Sequence, residues 1–118
     1  MSVRRPEQGE EYWFEEGCYI LEVLNDPADP DVSIARARVP AGGITDWHRL
    51  SGTTERYYIL EGAGEVWVGQ GEPRPVMPGD VVVIAPGAPQ RIRNTGEADL
   101  VFLAICSPRF RRDQYQSG

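Results

Sequence analysis

The stretch TDWHRLSGTTERYYILEG, residues 45–62, carries the chain's one histidine, His48, just ahead of Glu55 and a strand-like run. In an extended chain successive side chains point to opposite faces. ERYYIL therefore places Glu55, Tyr57 and Ile59 on one face and Arg56, Tyr58 and Leu60 on the other. With tyrosine and aliphatic groups on both faces, the strand is expected to be covered on both sides. A glutamate that shares an inward face with Tyr57 and Ile59 is costly unless it is paired, hydrogen-bonded, protonated or bound to a metal. His48, read as lying in the loop before this strand, could reach it. One imidazole is a poor anchor for a metal ion, so any such site needs further ligands from elsewhere in the chain.

Working outward, no apolar stripe at helical spacing is sustained. Short β-branched and aromatic runs alternate instead with Gly, Pro, Asn and Asp. CYILEVL (18–24), VSIARARV (32–39), ERYYILE (55–61), EVWVG (65–69), DVVVIA (80–85), QRIRN (90–94) and LVFLAIC (100–106) read as strands. Val76 and Met77 suggest a short edge strand. GAG (62–64) reads as a turn, with EVWVG expected as the hairpin partner of ERYYILE. The glycines of GAG and GQG lead into strands or turns, not into a helix N-terminus, so they are not a phosphate cradle. Regular short strands with turn signals mean an all-β sandwich or barrel in a single domain. DVVVI and LVFLAIC are apolar on both faces, whereas a sheet with one wet face alternates. A homodimer that supplies the second cover is the expectation.

The 118 residues carry a formal charge of −6, with 18 acidic residues against 12 basic ones, all of them arginine. A negative chain disfavours a nucleic-acid surface, and the absence of lysine excludes Schiff-base chemistry. Arg109, Arg111 and Arg112 read as a solvated tail. No apolar run is long enough to cross a bilayer, and the N-terminus lacks the apolar stretch of a secretion signal. A cytoplasmic location, without membrane or nucleic-acid partners, is expected. Cys18 and Cys106 are then expected as reduced core residues. Whether they lie near each other is left open by the sequence. Ser51 or Cys106 as a nucleophile lacks any arrangement that fixes it beside His48.

Gly43, His48, Leu50, Glu55 and Gly62, followed by GDVVVIAPGAPQRIRN (79–94), resemble the two motifs of the cupin superfamily. The resemblance covers residues 32–106. It implies a double-stranded β-helix, or jelly-roll barrel, with its site inside the barrel mouth. The barrel is taken as residues 12–107, with an N-terminal tail at 1–11 and a C-terminal tail at 108–118.

Family metal sites use three histidines and a glutamate. Carried over by position, His48 is the first histidine and Glu55 the glutamate. Leu50 stands at the second histidine position and Gln90 at the third, and Ala85 replaces the first proline of the second motif. The period of QRIRN supports an inward Gln90, since it shares a face with Ile92 and Asn94 while Arg91 and Arg93 take the other.

The resemblance thus implies a reduced site for a divalent transition metal (Fe, Mn, Zn or Ni) held by His48, Glu55 and Gln90. Leu50, Tyr57, Ile59 and Ile92 would line the ligand pocket. Glu55 is the candidate catalytic residue, as a general base if no metal is bound. No organic cofactor is expected. The activity implied is oxygenation, isomerisation or cyclisation of a small organic molecule. The alternatives are a barrel that only binds a small ligand, and a metal-free vestigial site on a structural homodimer in which His48 and Gln90 both hydrogen-bond Glu55. Glu22, Arg36 and Arg38 either face the pocket or lie on a solvated face.

Overall fold

The computed structural model describes residues 2–7 and 10–118. Eleven strands form among these residues: β1 (Tyr12–Phe14), β2 (Cys18–Leu24), β3 (Ser33–Val39), β4 (His48–Leu50), β5 (Thr54–Glu61), β6 (Gly64–Val68), β7 (Arg74–Val76), β8 (Val81–Ile84), β9 (Gln90–Asn94), β10 (Leu100–Ser107) and β11 (Tyr115–Ser117). They build two antiparallel sheets, in the orders β1-β2-β3-β10-β5-β8 and β11-β4-β9-β6-β7. The inward faces of the two sheets meet in one core. Val39, Ile59, Ile84, Ile92 and Leu100 are almost wholly buried there. Each such side chain contributes about 1.5–3 kcal/mol when taken out of water.

The expected hairpin between ERYYILE and EVWVG does not form. β5 is flanked by β10 and β8 in the first sheet, while β6 pairs with β9 and β7 in the second. The turn at Gly62 passes the chain from one sheet to the other. Its φ is +86°, and a Cβ there would lie 2.6 Å from the Asp99 carbonyl oxygen and 2.9 Å from the Leu100 Cα. Only glycine fits so close to a neighbouring backbone with a left-handed φ. A tight hairpin would have kept β6 in the first sheet; the crossing closes the jelly roll.

Three short strands fall outside the sequence expectation. His48 is not in a loop: β4 places it directly opposite Gln90 of β9. Residues 108–118, expected as a tail, carry β11, in which Tyr115 pairs with Leu50 and Ser117 with His48. β1 adds an outer strand to β2. Glu11, within the expected N-terminal tail, forms an ion pair with Arg38 at 2.6 Å. Arg38 also covers the Tyr19 ring, at 4.2 Å from its centroid. Arg36 and Arg38 thus lie on the outer face of β3, and Ala35 and Ala37 take the cavity side.

Apart from Arg56, opposite Val83, the outer face of the β5–β8 pair is apolar and uncovered in a single chain. Val81 and Val83 are 58% and 65% exposed, next to exposed Tyr58 and Leu60. No helix among the described residues is long and apolar enough to cross a membrane.

Candidate functional site

A cavity of about 70 Å³ opens between the sheets, bounded by β1–β5, β10 and the C-terminal segment. Its polar side chains arrive on strands whose alternation aims them inward. In β5, Glu55 and Tyr57 face in; in β9, Gln90 does; in β4, His48 and Leu50 do. The structure therefore gathers the three motif residues His48, Glu55 and Gln90 in one interior region. Leu50 and Tyr57 line the cavity, and so does Glu22 at its exposed rim. Ile59 and Ile92, expected as pocket residues, belong to the core and not to the lining. Two residues along a strand is a displacement of about 6–7 Å. That carries Ile59 past the packed rings of Tyr57 and Phe102, whose centroids are 4.4 Å apart.

Glu55 is 8% exposed. Its Oε1 accepts a hydrogen bond from Gln90 Nε2 at 2.7 Å. Among the described residues, its Oε2 receives only a long contact from the Cys106 thiol, at 3.9 Å. Gln90 Oε1 in turn accepts from the Tyr57 hydroxyl. Burial pushes the Glu55 carboxyl up to about 7; the Gln90 amide and His48 hold it down, and the nearby Glu16 charge adds to the rise. The same burial raises the Tyr57 hydroxyl well above its ordinary value, with Glu55 adding to it.

The partner of His48 is a residue that the sequence reading did not select. Its Nε2 meets Glu16 Oε2 at 2.8 Å, and its Nδ1 meets the Asp46 carbonyl oxygen at 2.7 Å. A carbonyl can only accept, so Nδ1 carries a hydrogen, and a carboxylate opposite Nε2 favours a second one. Burial opposes the charged ring, but the Glu16 carboxylate and the Asp46 carbonyl outweigh it and raise its pKa. The Tyr115 ring stacks on His48 at 5.5 Å and 19°. Glu16 also accepts from the Cys18 thiol at 3.4 Å. Both cysteines are free and buried and line this cavity. Burial raises Cys106 to about 12 and Cys18 further, so neither is a thiolate nucleophile near neutral pH.

Glu16 gives no sequence signal, because it sits in the turn of FEEGC, where no period tells which of two adjacent glutamates points inward. Tyr115 has a faint one in the short run YQS, whose value depends on a strand more than sixty residues away.

A metal at the motif position would draw on His48 Nε2, Glu55 and the Gln90 carbonyl oxygen. The first is spent on Glu16 and the last on Tyr57, and the Gln90 amide turns its N–H toward Glu55. Leu50 offers no donor. Among the described residues, no group of three or more His, Cys, Asp or Glu side chains is placed to hold an ion. The residues present do not fit a metal; they form a hydrogen-bonded network in its place. In that network Glu55 is bonded by Gln90 and, weakly, by the Cys106 thiol, while His48 pairs with Glu16.

A closed two-sheet barrel with polar groups gathered inside its mouth defines a double-stranded β-helix protein. A model of the cupin domain matches residues 35–106, and the chain belongs to that family. An oxalate-binding protein of Thermotoga maritima is 41% identical over 71 residues, or 60% of this chain. The match spans 58% of that relative's length. An uncharacterized protein of Methanocaldococcus jannaschii is 34% identical over 104 residues, covering 86% of this chain and 82% of the relative. Among solved structures, a predicted oxalate decarboxylase from Thermotoga maritima superposes with a TM-score of 0.80 at 28% identity, over 91% of this chain and 99% of that one.

Proposed function

We propose that this chain is a small-molecule cupin whose site works without a metal and in which Glu55 is the proton-accepting group. The observation that carries this reading is Glu55 itself. It is a buried carboxylate that faces a cavity, with one oxygen fixed by Gln90 and the other lacking a strong donor. A base must have a lone pair free toward the substrate and a pKa near the working pH. Glu55 has the first by geometry and the second by burial, at about 7. Proton transfer of the isomerisation or cyclisation kind suits such a site. Gln90 orients the carboxylate, Tyr57 locks Gln90, and the His48–Glu16 pair closes the polar wall.

The relatives bear on the ligand only in part. One is named for oxalate. The cavity of this chain is lined by Glu16, Glu22 and Glu55 and by no arginine, a poor lining for a dianion. The test uses a library of small organic compounds in deuterated water. Deuterium incorporation into a substrate C–H bond is read by NMR for the wild type and for Glu55→Gln. Exchange that falls about 10²–10⁴-fold in the folded variant supports the reading. Equal exchange in both proteins, or none with any compound, refutes it.

We infer as well that two copies pair through the uncovered face of β5 and β8. Tyr58 lies opposite Val81 there, with Leu60 beyond it and Val83 next to Arg56, and lone chains seldom expose so many large apolar side chains together. A monomeric mass by light scattering at micromolar concentration refutes this. Free, buried cysteines accord with a cytoplasmic protein.

A further inference from the structure

We propose that the cavity takes a small organic cation, an ammonium group carried on a short carbon skeleton. This rests on the small-molecule reading above and adds the charge of the ligand.

The first support is the sign of the lining. Glu16, Glu22 and Glu55 reach the cavity, whereas none of the chain's arginines does. The arginines are engaged outside the lining: Arg36 and Arg38 on Glu11, Arg91 and Arg93 over the Trp67 ring, and Arg112 on Glu15 and over the rim rings of Phe14 and Tyr115. The one cationic group at the wall is His48, and its Nε2 is held by Glu16. Glu16 is thus balanced by His48, and the excess negative charge comes from Glu22 at the rim and Glu55 inside; a concave, low-dielectric site with such an excess concentrates cations.

The second support is a hydrogen-bonding need that is only weakly met. Glu55 is more than nine-tenths buried, and among the described residues its Oε2 has only the 3.9 Å contact from Cys106 Sγ. A buried carboxylate oxygen in that state costs free energy that an N–H donor from a ligand removes. An ammonium brings such donors together with the matching charge. A neutral hydroxyl brings one donor without charge, and a carboxylate brings neither.

The third support is the remaining wall. Tyr12 and Phe110 lie toward the mouth, where the Arg112 guanidinium already covers the Phe14 and Tyr115 rings, and the more deeply buried Tyr57 and Phe102 lie inside. Aromatic faces attract cations, the more so where water is excluded. A cavity volume of about 70 Å³ suits a small ligand.

The test is isothermal titration calorimetry with compounds of similar size and different charge: ethanolamine and trimethylammonium, 1,2-ethanediol, glycolate and oxalate. The expected result is that at least one ammonium compound binds about tenfold or more tightly than 1,2-ethanediol. Its advantage should vanish in Glu55→Gln, and glycolate and oxalate should give no binding. Glu16→Gln supplies the same comparison if Glu55→Gln does not fold. Equal or tighter binding of the diol or of either anion overturns the cation proposal. If that binding is itself lost in Glu55→Gln, the small-molecule reading stands alone. An ammonium affinity unchanged in both variants, or no binding by any compound, also overturns the proposal.

Discussion

Replacing Glu55 by glutamine should make the stability of the protein less dependent on pH, and the size of the change follows from the environment of the carboxyl. Its pKa rises from the ordinary 4.5 to about 7, chiefly through burial. Between those values the folded protein binds more protons at this site than the unfolded chain, so stability falls as pH rises. The contribution is intact below 4.5 and is lost as pH passes through about 7. At about 1.4 kcal/mol per pH unit, that interval corresponds to about 3 kcal/mol. Glutamine keeps the shape and can still accept from Gln90 Nε2, but it cannot ionise. The variant should therefore gain on the wild type by about 3 kcal/mol between pH 4.5 and pH 8. For a chain of this size that is a difference in Tm of about 10 °C. The assay is urea unfolding of both proteins at half-unit pH steps, with the difference between them taken at each pH. His48 is present in both, so most of its titration cancels. A difference that stays flat across this range would refute a buried, cavity-facing Glu55 carboxyl. A difference that grows in the opposite sense would mean that a positive charge stabilises the carboxylate.

Other substitutions test the rest of the network. Tyr57→Phe removes the donor to the buried Gln90 carbonyl oxygen and should cost about 1–3 kcal/mol in urea unfolding, with the aromatic contact to Phe102 retained. His48→Asn should lower stability more at pH 5 than at pH 8. The raised pKa of the imidazole means that its pairing with Glu16 stabilises below its ordinary value of 6.5 and weakens as pH passes through the folded value. Protein made without a histidine tag and loaded with Fe, Mn, Zn or Ni should retain well below one equivalent on elemental analysis; stoichiometric retention that depends on His48 would contradict the closed network. Val81→Glu with Val83→Glu should shift the mass in light scattering from two chains to one while leaving the far-ultraviolet circular dichroism unchanged.

Much of this protein was legible in one dimension because β-structure writes its alternation into the chain. The strands 18–24 and 90–94 were readable to the residue, since turn formers bound runs of β-branched and aromatic side chains. The same period of two gave the inward direction of Glu55 and Gln90, and the motif spacing gave the barrel. What the sequence could not supply is pairing between distant segments. Whether EVWVG returns beside ERYYILE or crosses to the other sheet depends on Gly62 fitting against Asp99 and Leu100, a contact invisible until both are placed. β4 and β11 are three residues each; β11 forms only against β4, and β4 only between β9 and β11, so each is at most faintly marked in its own residues. The site divides in the same way. The motif resemblance named His48, Glu55 and Gln90 and the strand period supported the inward direction of Glu55 and Gln90, but only the fold brought Glu16 to His48 and the Tyr57 hydroxyl to Gln90. Those two hydrogen bonds use the atoms a metal would need. A residue's type and facing are local properties of the chain, while the partner its polar atoms meet is set by the closure of the barrel.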